Sequence, residues 1–169
     1  MTLHDYESIA REIRQVPAHC GDIRVIGIDG PAGSGKTTLA AALSHELDNC
    51  PIVHMDDVYD GWHQDFDVEL GQRLVREILQ PLKVGKQATY KKYDWHQSAF
   101  THSVTIPAHQ YLILEGVGSC NQQVSEFLAY SLWIEADSAV LIDRIITRDG
   151  EVMRPHLPGI KKREAEDFE

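Results

Sequence analysis

Apolar residues recur along this chain in short runs separated by polar or glycine-rich stretches. Residues 23–28, 51–55, 111–116 and 131–135 are rich in Ile, Val and Leu and too short for helices, so they read as buried strands. Between them the apolar period lengthens. Within 2–16, Leu3, Tyr6, Ile9, Ala10, Ile13 and Val16 share one helical face, Thr2 and Asp5 resemble a capping box, and Pro17 ends the helix. Residues 39–48 read as a second helix. A third runs over 68–82 through Leu70, Leu74, Val75, Ile78 and Leu79 and is expected to stop near Pro81. A fourth covers 138–148. Polar, aromatic segments at 87–95 and 102–106 predict an exposed hairpin, and residues 84–107 thus read as a lid or substrate unit. The tail past Arg154 is proline- and charge-rich, with a further helix expected from Lys161. Strands alternating with helices predict an α/β fold: a mostly parallel sheet with helices on both faces, one domain over residues 1–169.

The glycine-rich joint between the first buried strand and its helix changes the picture from architecture to chemistry. Gly30, Pro31, Ala32, Gly33, Ser34, Gly35, Lys36 and Thr37 have the spacing Gly, four residues, Gly-Lys, Thr, followed by Thr38. In a strand–loop–helix context this is a phosphate cradle. Glycines let backbone N–H groups converge without Cβ atoms in the way, and the helix N-terminus adds a favourable dipole. Lys36 is placed to reach β- and γ-phosphates, and Thr37 to offer its hydroxyl to a magnesium ion. The sandwich is therefore expected to be of the P-loop NTPase type.

Phosphoryl transfer also needs a second metal contact, cations over the moving charge and a group that readies the acceptor. Glu115 ends an apolar strand and is the candidate metal partner of Thr37. Asp56 and Asp57 follow the second strand, where ligands sit in open α/β sheets. Strand alternation would send the two to opposite sides, with Asp56 as the general base. Arg144, Arg148 and Arg154 form a cationic set, the first two on one helix face. Tyr93, Asp94, Trp95 and His96 sit on the expected lid, where aromatic rings and a histidine suit a base or sugar.

Composition narrows the partners. Sixteen basic against twenty-six acidic residues give a net charge of −10, which disfavours a nucleic-acid backbone binder but not a local anion pocket. Cys20, Cys50 and Cys120 are scattered, as expected of free thiols in a reducing compartment, and no zinc-like grouping involves the nine histidines. No apolar run is long enough for a membrane span, and 1–17 lacks a signal-peptide core, so a cytoplasmic protein is expected. The sequence leaves room for a homo-oligomer. A guanine-reading Asn-Lys-X-Asp motif is not evident, which favours ATP.

The ordered set of motifs, 30–37, Met-Asp-Asp-Val-Tyr at 55–59, Tyr-Asp-Trp at 93–95, Leu-Glu-Gly-Val at 114–117 and Arg-Asp at 148–149, resembles the uridine kinase and phosphoribulokinase branch of P-loop kinases. The resemblance spans roughly 23–154 and implies an ATP- and magnesium-dependent kinase acting on a hydroxyl of a nucleoside-like acceptor. It implies Asp56 as base, Asp67 or a neighbour on sugar hydroxyls, Tyr93 on the base, and Arg148 and Arg154 in a lid over the phosphates, while Tyr59 in the polar, aromatic loop after the second strand and His96 on the hairpin are acceptor-side candidates by their own chemistry. Family members continue to a last edge strand and an adenine-contacting loop beyond the point where this chain reaches Glu169. The same scaffold suits another small acceptor, such as pantothenate, a sugar or a nucleoside monophosphate. A nucleotide-binding module without transfer is the contrasting class.

Overall fold

A computed structural model of the chain describes residues 3–61 and 68–159. Four strands form a parallel sheet: β1 (Arg24–Asp29), β2 (Ile52–His54), β5 (Tyr111–Glu115) and β6 (Leu128–Trp133), in the order β2-β5-β1-β6. The antiparallel pair β3 (Thr89–Asp94) and β4 (Ala99–Thr105) makes a separate two-stranded hairpin. The helices are α1 (Leu3–Gln15), α2 (Lys36–Glu46), α3 (Val68–Leu74), α4 (Gln80–Lys83) and α5 (Ser138–Asp149).

Period-two alternation along the strands builds two cores. Ile26, Ile28 and Ile113 face α1 and α2, where Ala10, Ile13, Leu39 and Leu43 are buried against them. Val25, Leu112 and Leu114 face the other way, onto Leu70, Leu74, Ile78 and Leu79. Helices cover both faces, and β1 lies between β5 and β6, where the strand order reverses direction. The loop after β1 therefore opens at the crevice that such sheets present beyond their carboxyl ends.

The helix expected over 68–82 passes through Pro81 and ends at Lys83. A π-helical segment, Val75–Leu79, joins α3 to α4, and the Gln80 N–H reaches back to the Val75 carbonyl. Proline lacks the N–H for an α-type bond and its ring crowds the carbonyl four residues back. The wider π turn just before it gives that carbonyl room. The hairpin strands form where the polar, aromatic pattern placed them, and β4 begins earlier, at Ala99. Among the described residues no helix is long and apolar enough to cross a membrane. The helix expected from Lys161 lies outside the described residues.

Candidate functional site

Among the described glycines, the one that meets its surroundings most tightly lies at the joint between β1 and α2. Gly30 has φ 135°, and a Cβ there would overlap the carbonyl oxygen of Ile134, at the end of β6. Gly35 caps α2 at φ 104° with open space around it, so only backbone conformation demands glycine there. Lys36 is buried, and its Nζ donates to the carbonyls of Gly30 at 2.6 Å and Pro31 at 2.9 Å. The lysine thus braces the loop that encircles it.

Asp29, the last residue of β1, is only 4% exposed. Its Oδ1 accepts the N–H groups of Gly30 at 2.7 Å and Gly118 at 3.1 Å, and Oδ2 accepts that of Cys120 at 2.9 Å. Burial pushes this carboxyl up from its ordinary value, while those three N–H groups and Lys36 pull it down. Asp29 ties the entrance of the phosphate loop to the loop after β5. A lone carboxylate at the end of an apolar run gave no spacing signal for this role.

Glu115 ends β5, 5% exposed, and uses both carboxylate oxygens. Thr37 Oγ1 donates to Oε1 at 3.0 Å, and His54 Nδ1 donates to Oε2 at 2.7 Å. A carboxylate can only accept, so the Nδ1 of His54 carries the proton. That hydrogen bond and the charge of Glu115, joined by Asp57 and Asp56, push the His54 imidazole up, against burial.

A cleft of about 440 Å³ opens over the loop, walled by Lys36, Thr37, Asp56, Glu115, Arg144 and Arg148, with Gly33, Gly35 and Thr38 at its loop side. Burial, then the charge of Glu115, pushes the Asp56 carboxyl up, opposed by Arg148 and Lys36. Solvent nevertheless reaches Asp56 through the open cleft. Arg144 Nη1 donates to the carbonyls of Gly33 at 3.3 Å and Ser34 at 3.4 Å, so α5 is pinned to the phosphate loop. The Ser34 hydroxyl is buried without a hydrogen-bond partner.

The structure separates Asp56 from Asp57 by a different device than strand alternation. Both lie in a 3-10 turn, Met55–Asp57, beyond the end of β2. Asp56 lines the cleft, and Asp57 pairs with Lys92 Nζ on the hairpin at 2.8 Å. Tyr59 turns inward: its ring is buried and its hydroxyl donates to the Val117 carbonyl at 2.7 Å. Tyr93 is likewise 7% exposed, edge-on to Trp95 and Phe100 at centroid distances of 5.1 and 5.2 Å, because the hairpin uses these rings as its own core. His96 is exposed at the hairpin tip, where its backbone N–H meets Asp94. Arg154 stays out of the cleft wall. The chain leaves α5 at Gly150 with φ 87°, and the turn that follows pairs Arg154 with Glu151 through two hydrogen bonds of 2.7 and 3.0 Å. Asp67 lies outside the described residues. Pro31 and Ala32 complete the loop, Ala32 on the cleft side.

Thr37 and Glu115 fit a magnesium ion by donor chemistry. Both offer hard oxygens, and their 3.0 Å separation matches neighbouring ligands of a six-coordinate ion, about 3 Å apart when each bond is 2.0–2.1 Å. Such an ion keeps several waters and takes the rest of its shell from phosphate oxygens. Among the described residues no cluster of three or more His, Cys, Asp or Glu stands ready as a closed metal cage.

The profile of the AAA domain family matches residues 26–169. A uridine kinase of Schizosaccharomyces pombe is 26% identical over 145 residues, 75% of this chain and 32% of that protein. A uridine kinase of Staphylococcus epidermidis is 25% identical over 140 residues, 74% of this chain and 68% of that protein. The chain thus spans about a third of the first relative's length and about two thirds of the second's. Among solved structures, that of a possible uridine kinase from Bacillus stearothermophilus superposes with a TM-score of 0.62 over 95% of both chains at 23% identity, which is a likeness of fold. The strand, the loop whose glycine cannot carry a Cβ, the helix that follows and the profile spanning them agree, and the chain belongs to the AAA domain family, with a P-loop.

Proposed function

We propose that this protein is a magnesium-dependent kinase that moves the γ-phosphoryl group of ATP onto a hydroxyl of a small, nucleoside-like acceptor. The observation that carries the reading is that Asp56 shares one cleft with Lys36, Thr37 and Glu115. Phosphate grip, metal donors and a carboxylate with a raised proton affinity are the parts that phosphoryl transfer requires. Uridine kinase relatives support the nucleoside-like acceptor.

The division of labour follows from the walls. Loop amides and the Lys36 ammonium bind the phosphate tail. Thr37 and Glu115 would hold the magnesium ion, which supplies charge neutralisation on the phosphates. Asp56 takes the proton from the acceptor hydroxyl. The freed oxygen pair forms the bond to the γ-phosphorus, the bond from that phosphorus to the β–γ bridging oxygen breaks, and the pair departs on ADP. Arg144 and Arg148 lie on the wall where negative charge spreads over the transferring group.

The acceptor side admits a second reading. The Tyr93 ring is packed into the hairpin. A buried ring is a poor stacking surface for a base, which favours a hydroxyl acceptor without one, such as a sugar or pantothenate. ATP consumption measured with uridine, cytidine, a sugar panel, pantothenate and nucleoside monophosphates tests both. Turnover only with a nucleoside supports the first reading, turnover only with a sugar or pantothenate supports the second, and turnover only with a nucleoside monophosphate overturns both. Tight ATP binding with no turnover on any acceptor would replace both with a nucleotide-holding module.

A further inference from the structure

Glu115 is held from two directions by side chains of different elements. Thr37, on the first turn of α2, donates to one oxygen at 3.0 Å, and His54, at the end of β2, donates to the other at 2.7 Å. The sheet itself arranges the second contact: in the parallel register of β2 and β5, His54 is the residue opposite Glu115. Backbone pairing of Ile52 with Ile113 and of Val53 with Leu114 already joins the two strands, so holding β2 in place does not require the imidazole. What the imidazole adds is orientation. The terminal torsion of a glutamate is broad and roughly two-fold, so one donor leaves the carboxylate plane free to swing. A donor on each oxygen fixes it.

We propose that His54 is a positioning residue for the divalent-cation site: by holding Oε2 of Glu115 it keeps Oε1 turned toward the Thr37 hydroxyl, so that two hard oxygens present themselves together. This rests on the cation reading of Thr37 and Glu115 given above. Partners of this kind around a metal ligand contribute about 10–100-fold to metal affinity.

The test is binding, without turnover. Mn²⁺ affinity is measured by electron paramagnetic resonance on the full chain with a non-hydrolysable ATP analogue, and affinity for the same analogue is measured separately in EDTA. His54→Ala is expected to weaken Mn²⁺ binding about 10–100-fold while leaving metal-free analogue affinity within about two-fold. His54→Asn, whose amide Nδ2 stands where the imidazole Nδ1 does and also donates, is expected to recover most of the loss. Equal Mn²⁺ affinity in His54→Ala and wild type overturns the inference. So does an equal loss in both variants, or a loss of metal-free binding in step with the metal. A wild-type protein that binds the analogue in EDTA but shows no added Mn²⁺ site overturns the cation reading itself, and the role of His54 with it.

Discussion

The indole Nε1 of Trp95 donates to the backbone carbonyl of Asp56 at 3.0 Å. One residue on, Asp57 takes the ammonium of Lys92 at 2.8 Å. The hairpin and the turn carrying the proposed base are therefore tied at two successive residues, and the hairpin sets where Asp56 stands. Replacing Trp95 by Phe keeps an aromatic ring and removes the donor. It is expected to destabilise the fold by about 1 kcal/mol. The acceptor KM should rise while ATP affinity stays within about two-fold, because the phosphate loop lies on the other wall. Paired steady-state kinetics and nucleotide titration check the split.

Asp56, the proposed base, carries a cost to the resting protein. Partial desolvation in the cleft, then the charge of Glu115, raises its folded-state proton affinity, and solvent access together with Arg148 and Lys36 moderates the rise. A carboxyl whose folded pKa lies above its unfolded value costs stability at pH above both, and the cost fades as pH falls through the folded value and then the unfolded one. Asp56→Asn is therefore expected to melt at a higher temperature than wild type at neutral pH, with the gain shrinking in acid. Loss of the base should lower kcat about 10²–10⁴-fold while ATP still binds. Thermal melting from neutral to mildly acidic pH, with single-turnover kinetics, reads both effects. Wild-type activity is expected to decline on the acid side at a higher pH than an ordinary aspartate would give.

Lys36→Met keeps an aliphatic stem in a buried position and deletes the ammonium. The bonds to the Gly30 and Pro31 carbonyls vanish with it, so the loop loses its brace as well as the proposed phosphate contact. A hydrogen bond to a charged group is worth about 1.5–3 kcal/mol, which corresponds to a loss of ATP affinity of about 10–150-fold. Isothermal titration is the direct measurement.

Two glycines of the same loop are expected to answer alanine differently. At Gly30, left-handed backbone strain combines with a clash against the Ile134 carbonyl, and Gly30→Ala should cost roughly 3–5 kcal/mol. At Gly35 nothing lies within 4 Å of the added methyl, so Gly35→Ala should cost only the conformational strain, about 1–2 kcal/mol. Urea unfolding of both variants distinguishes them.

What could be read from the chain beforehand was local. The phosphate loop declares itself because each glycine answers a backbone requirement within a few residues, and strands such as Tyr111–Glu115 declare themselves by composition. Contacts set by register were out of reach. That His54 would stand opposite Glu115 depends on how two strands slide past each other, 61 residues apart in sequence. Arg144 and Arg148 reach the cleft because they share a helix face, which spacing does reveal. Arg154 does not, because a left-handed glycine redirects the chain before it. Tyr59 and Tyr93 looked like binding residues for their chemistry, yet a small hairpin and a short loop need large rings for their own interiors.

Asp29 joins pieces of chain about ninety residues apart, Gly30 on one side and Gly118 and Cys120 on the other. Val117, next in line, holds the hydroxyl of Tyr59 three residues past Asp56. Filling the phosphate loop thus tugs on a short mechanical linkage whose far end lies beside Asp56, the proposed base. Occupancy by one substrate should stiffen the seat of the other, and amide exchange at Gly118 should slow when nucleotide arrives before any acceptor does.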